Sequence, residues 1–542
     1  MACAIEENGV SEGAEPRGKS PEAAFATLMS RRHLVGIETP AAIDATGALI
    51  DLSSHLKKPE GEEHALAWCE ELSQRTLNPS ESALLHYFWA NAWSDLLQLK
   101  TTSVREVWYW ECPEYEGQIL HLRLALSSDG FGLLDRIRRC QVLTNLGNTL
   151  SHLGRFAEAS EYYDRALKID SGFPMTVGNR GYCLEHYAAA LYDPGHARVL
   201  LRVAHEAMAS ALDCPTLPAH ARRPFEEAAK RIEKYMGESL TEQPDLNAFP
   251  LGESVEEIKY RSWCLANRVF LNPLNDLGAF SIAARDIITT PNMFVPLDEG
   301  PIYQGFFNQM KQEFVAARYL YYEGTHAPDG AHYCDKDVLL FNTLDYPTYC
   351  IAAERVKAAF RLAYSLFDKI AFFLNSYMHL DVKERHIYFK TIWYASEKRA
   401  NGLKPCVEQR RNWPLRGLFW VSKDLFESAP GYRSSLEPSA RELEDIRQHL
   451  EHKYLKLHEP EWAGPPSSDD RAAKAMADTL ARSCYRRDFE AKTLRLLKTM
   501  RAALIYLALA IRAEENQRAK ARKPGAIIPG VSLDVWEDSW KR

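Results

Sequence analysis

Between Val142 and Pro215 the chain repeats itself with a period of 34 residues: Gly181 follows Gly147, and Asn179 follows Asn145, at that spacing. The first unit reads TNLGNTLSHLGRFAEASEYYDRALKID. In the second, extra residues gather around Asp193-Pro194-Gly195, and the pattern resumes with Ala204, Met208 and Ala211-Leu212. These stand 45 positions after Ala159, Tyr163 and Ala166-Leu167. A repeat of this length is one pair of helices that cannot bury its apolar face alone. Small residues let the two helices approach, and large ones fill the groove between them. About three units are needed for a stable stack, so helices around Glu81–Ser128 are expected to supply a degenerate one.

Helical periodicity extends on both sides. Ala65–Leu77 and Glu81–Leu99 read as a pair joined by Asn78-Pro79-Ser80, with Ser80 placed to cap the second helix. Tyr303–Glu323, Thr348–Tyr377 and Pro414–Phe426, the last capped by Asn412, form a second helical block; Arg471–Arg522 reads as one very long helix or two. Only His386–Tyr394 (HIYFKTIWY) alternates as a strand would. The fold class expected is all-α, with helical repeats followed by a helical bundle. The divisions are a disordered tail at 1–24, repeats at 25–235, a connector at 236–299, a bundle at 300–525 and a tail at 526–542.

Hydrophobic content of 46% and 11% aromatics supply real cores. Net charge is -7, yet 471–523 holds 14 Lys/Arg against 5 Asp/Glu, a stretch that could face phosphate or simply solvent. The 11 cysteines are scattered without a CxxC pair, which argues against a zinc ribbon and fits a reducing cytoplasm. The N-terminus shows no apolar signal run, so the expectation is a cytoplasmic protein. Gly9-Val10-Ser11-Glu12-Gly13 matches a nucleophile elbow in letters only, since no strand or helix flanks it. No phosphate-binding loop, HExxH or dinucleotide motif is present. Neither a metal nor a cofactor is called for.

What remains is the segment from Ser439 to about Leu457. Ser439 and Glu442 form a capping box behind Pro438. Leu443, Ile446, Leu450, Tyr454 and Leu457 recur as one apolar stripe. Gln448 and His452 point away from it, and Arg447 lies at its edge. Histidine titrates near neutrality and suits general acid/base work. The arginine fork matches phosphate oxygens. Such a set suits metal-free RNA cleavage, in which a 2′-hydroxyl attacks its own phosphate. In the helix Thr348–Tyr377, Glu354, Lys357, Arg361, Ser365, Asp368 and Asn375 share a polar face, making Asp368 and Glu354 candidate partners for Arg447 or His452.

Arg447-Gln448-His449-Leu450-Glu451-His452 resembles the Arg-x4-6-His signature of the HEPN superfamily, a helical domain common in prokaryotic RNase toxins and defence effectors. The family frequently carries Asn after the Arg, where this chain has Gln448. FFNQMKQEFVAARYLYYEG, ERVKAAFRLAYSLFDKIAFFLN and NWPLRGLFWVSKDL resemble the HEPN branch that follows tetratricopeptide (TPR)-like repeats. The resemblance implies a metal-independent endoribonuclease working as a homodimer on RNA, with Arg447, His452 and Gln448 at a composite site. It also implies a protein partner or trigger for the TPR-like half. Arg447 and His452 are about 140° apart on a helix, which independently favours pairing of two such faces. The alternative is a non-catalytic scaffold or a nucleotide- or RNA-binding HEPN module. A weaker one is a metal site from His449, His452 and His458.

Overall fold

The computed structural model describes residues 20–101, 108–296, 300–328, 330–343, 345–396, 401–426, 440–459, 480–522 and 532–541, with 478 and 530. Residues 9–13 and the Pro438–Ser439 helix start lie outside them. Helices dominate, as the repeat demands. The first, α1 (Pro21–Met29), begins inside the stretch expected to be a tail: Ser20 caps it, Pro21 opens it, and Phe25 is buried against the next helices.

Helices α2 (Thr39–Leu56), α3 (Pro59–Ser73), α4 (Pro79–Lys100) and α5 (Pro113–Ser127) follow as antiparallel neighbours. The cap of α4 is Asn78 rather than Ser80. Its side chain accepts from the Glu81 N–H while the Glu81 carboxylate accepts from the Asn78 N–H, and Pro79 needs no partner at the first position. Next come the repeat helices α6 (Arg136–His152), α7 (Phe156–Ile169), α8 (Pro174–Ala190) and α9 (Pro194–Asp213), and then α10 (Ala219–Met236). Gly147 lies so close to Tyr163 that a Cβ there would meet the ring at 2.7 Å. That is why the repeat needs a small residue at this point.

The connector is more than a tether. After α11 (Val255–Ala266) it makes two 3₁₀ turns, and Leu271, Leu274, Asn275 and Asp276 are buried. The second block holds α12 (Ile302–Thr325), α13 (Ile351–Tyr377), α14 (Pro405–Glu408), α15 (Trp413–Phe426), α16 (Ala440–His452) and α17 (Arg486–Lys520). Asn412 does cap α15, accepting from Leu415 N–H at 3.1 Å, and its amide also donates to Ala510 O and Glu514 on α17.

Two expectations change here. The late helix ends at His452, and Tyr454–His458 is a strand, β1, paired in parallel with β2 (Ala481–Tyr485). Leu443, Ile446 and Leu450 are buried as the stripe requires, but Tyr454 is exposed and Leu457 is buried from a strand. Two side chains at i and i+4 satisfy a helix; Leu455 and Leu457 equally satisfy a period of two. Conversely, His386–Tyr394 forms no strand, only a 3₁₀ turn and bends with a single bridge from Tyr394 to Leu403. Its alternation holds only at the start: Ile387 and Phe389 are buried while Tyr388 is exposed, but Ile392, Trp393 and Tyr394 are all buried.

One continuous core joins the two halves. Helix α15 meets α5 through Glu116 and Arg123 and the corner between α6 and α7 through His152 and Arg155. A Cβ on Gly417 would meet the Gly154 carbonyl at 2.6 Å, so the two backbones touch where Gly154 turns with φ of 89°. Beneath this contact Asp424 accepts two bonds from Arg123, at 2.7 and 2.8 Å, and another from Arg155, all three side chains being buried. Burial alone would raise the Asp424 carboxyl; the two guanidinium groups win and hold it at about 2. Lys423 pairs with Glu111 and Glu116, and Arg501 of α17 with Asp276 of the connector. No described helix is long and apolar enough to cross a membrane.

Candidate functional site

Helix α16 leans on α13, and the contact explains how its outer face is held. Arg361 of α13 donates to the Leu450 carbonyl at 2.8 Å, satisfying one of the acceptors that a helix end leaves over. Leu443, Ile446 and Leu450 face inward. That orientation turns Glu444, Arg447, Gln448, Glu451 and His452 into a cleft of about 370 Å³, whose other wall is Asp368, Tyr388 and Lys390.

Within the cleft Arg447 is half-buried. Its guanidinium carbon lies 4.8 Å from the centre of the Tyr364 ring. Nε donates to Glu451 at 3.2 Å, and Nη2 lies 3.8 Å from Asp368. Burial disfavours its charge, but Glu451, Tyr364 and Asp368 outweigh burial and raise its pKa above the ordinary arginine value. Asp368 behaves oppositely: burial pushes its carboxyl up, against the Phe389 N–H it accepts at 3.1 Å and the nearby charges of Arg447 and Lys390. His452 is open to solvent, its side chain 69% exposed, with Nε2 4.0 Å from Glu451.

The structure therefore brings Arg447, Gln448, His452 and Asp368 to one cleft. Glu354 is elsewhere: it pairs with Lys357 at 2.7 Å and does not line the cleft. The polar face of α13 is long enough to serve two neighbourhoods, which residue spacing alone could not reveal. Tyr388 and Lys390 are additions that sequence reasoning missed. Their signal was present as the alternation of HIYFK, which puts residues 388 and 390 on the side opposite Ile387 and Phe389. The three histidines do not converge. His449 contacts the Asp445 carbonyl at 2.8 Å, and His458 is buried on β1 beside Ser483. Among the described residues no group of three His, Cys, Asp or Glu is placed to hold a metal.

Much of the basic charge of 471–523 is used internally. Arg482 and Lys492 reach Glu442 on α16, Arg486 reaches Glu459 and Glu490, and Lys498 reaches Glu161. Two other pairs in the repeats share the Arg-x4-6-His spacing, Arg180…His186 and Arg198…His205, and they have structural contacts: Arg180 binds Asp164, His186 lies against Trp413, and His205 pairs with Glu233.

A helical-repeat half fused to a helical bundle, with an Arg-x4-His helix lining a cleft on the bundle, defines a class of protein. Residues 294–514 match the family model described as LA2681-like HEPN, and residues 140–173 match the tetratricopeptide repeat. The chain thus carries an LA2681-like HEPN domain preceded by a TPR repeat. No curated protein and no solved structure matches it.

Proposed function

We propose that the protein is a metal-independent endoribonuclease of HEPN type, a toxin or antiviral defence effector regulated through its TPR-like half. The observation that carries this reading is the cleft itself. One helix face presents a cation fixed over an aromatic ring, an amide and a solvent-accessible histidine side by side. In the proposed reaction His452 takes the 2′-hydroxyl proton and the freed oxygen attacks the adjacent phosphorus. The bond to the 5′-oxygen breaks, leaving a cyclic phosphate and a 5′-hydroxyl end. Arg447 meets the negative charge that builds on the phosphoryl oxygens, and Gln448 orients them by hydrogen bonding. A second copy of α16, approaching across the exposed face, would supply the acid that protonates the leaving oxygen. That is the reason for proposing a homodimer.

The arrangement also gives a specific reason to keep the alternative of RNA or nucleotide binding without cleavage. In a single chain Arg447 already faces two carboxylates, whose negative charge opposes the approach of a phosphate. The test is incubation of the full chain and of its Arg447→Ala and His452→Ala variants with labelled RNA in EDTA. Wild-type cleavage in the chelator is expected, with losses of about 10²-fold or more in each variant. Cleavage indifferent to both substitutions would sink the assignment; tight binding of RNA without cleavage would select the alternative.

A further inference from the structure

A separate cleft of about 660 Å³ lies where α9 faces residues 242–249 and 272–288. Its volume is that of a small-molecule site. The side chains that matter are of two kinds. Arg202 and Asn272 are buried, and each is fixed by part of its polar head. Arg202 donates to the Ser239 carbonyl at 2.8 Å and the Leu240 carbonyl at 3.3 Å, while Asn272 Oδ1 accepts from Leu274 N–H at 3.0 Å. What is left over is a donor on each. Arg202 Nη1 and Asn272 Nδ2 are buried with no acceptor among the described residues. A buried donor without an acceptor is costly, and two of them, on residues that line one cleft from facing segments, call for oxygen atoms from outside the chain.

The second kind is aromatic and cationic. Tyr192 and Phe249 supply ring faces, and the Arg285 guanidinium lies 4.8 Å from the centre of the Phe249 ring. Arg198, Arg202 and Arg285 outnumber the lining acids Asp193 and Glu242, so the field favours an anion. We propose that this cleft binds a small anion carried on a flat apolar body, its oxygens meeting Arg202 and Asn272 and its ring lying with Phe249. The site is distinct from the α16 cleft and does not rest on the ribonuclease reading. It is also tied to the HEPN half, because the Asn272 carbonyl accepts from Arg501 of α17 at 2.7 Å.

The test uses 8-anilinonaphthalene-1-sulfonate, a fluorescent aromatic anion, titrated into the full chain. One saturable site per chain is expected. Val199→Trp, which fills the cleft and leaves every charge, should weaken the binding about tenfold or more, and Arg285→Ala, an exposed position, should weaken it several-fold. AMP and 2-naphthoate serve as competitors. Displacement by AMP alone assigns a nucleotide phosphate, displacement by naphthoate alone an aromatic carboxylate, and displacement by both the shared chemistry. Affinity unchanged in both variants, the lack of a saturable site, or displacement by neither competitor would overturn the proposal.

Discussion

Two of the clusters in which arginines meet acids are built oppositely. At the junction of the halves, Arg123, Arg155 and Asp424 are all buried, and both arginines donate to the Asp424 carboxylate. In the α16 cleft, Arg447, Asp368 and Glu451 are about a quarter to a third exposed, their contacts are 3.2 and 3.8 Å long, and the neighbouring histidine is in solvent. A buried charge stripped of its partner cannot be rehydrated, so the first cluster fixes geometry. A half-exposed charge with loose partners can exchange them for a ligand. The contrast separates the ion network that joins the halves from the one proposed to meet a substrate.

The comparison breaks most visibly at Asp424. Replacement by Asn removes the charge that two buried guanidinium groups share, leaving Arg155 with Glu158, and a loss of about 3–5 kcal/mol in denaturant melts is expected. An effect below about 1 kcal/mol would mean that the junction is not cooperative with the rest. Acid should reach the same network without mutation. Its carboxyl sits at about 2 in the folded chain against 3.8 ordinarily. A depressed folded value gives stability that is complete above the unfolded value and lost as pH falls through the folded one. Wild type should therefore lose about 2 kcal/mol more than Asp424→Asn between pH 5 and pH 2. Parallel pH profiles for the two proteins would contradict this.

These two clusters also differ in how far they could be read from the chain. Arg447, Gln448 and His452 sit within six residues on one helix, and a helical wheel puts Gln448 and His452 opposite the buried stripe. Asp368 was reachable by the polar line of α13, which shares a face at three- and four-residue steps. The same line wrongly promoted Glu354, because spacing does not say where along a helix its neighbour crosses. Asp424 and Arg123 are 301 positions apart, and no local period connects them. The repeat was legible because Gly147 and Tyr163 are partners within one helix pair. The end of α16 was not, because it depends on Arg361 of another helix and on pairing of β1 with β2.

Smaller effects sharpen the same contrast. Arg361 is exposed except where it donates to Leu450 O, so Arg361→Met should cost about 0.5–1.5 kcal/mol. It should also loosen the C-terminal turn carrying His452, which faster amide hydrogen exchange over 449–453 would reveal. Unchanged exchange there would show that the strand, not the arginine, sets the helix end.

The smallest expected change is the most discriminating. Removing the Arg447 guanidinium costs a ring contact and two loose ion pairs at a partly screened site, about 1 kcal/mol at most. His452→Ala, at a side chain 69% exposed, should fall within about 0.5 kcal/mol of wild type. Both proteins should melt within a few degrees of the parent while RNA processing is lost. A His452→Ala protein that melts far lower would place this histidine with Asp424, as part of the frame. Near-identical melting with activity gone would leave the cleft as the place where charge is kept available rather than consumed by the fold.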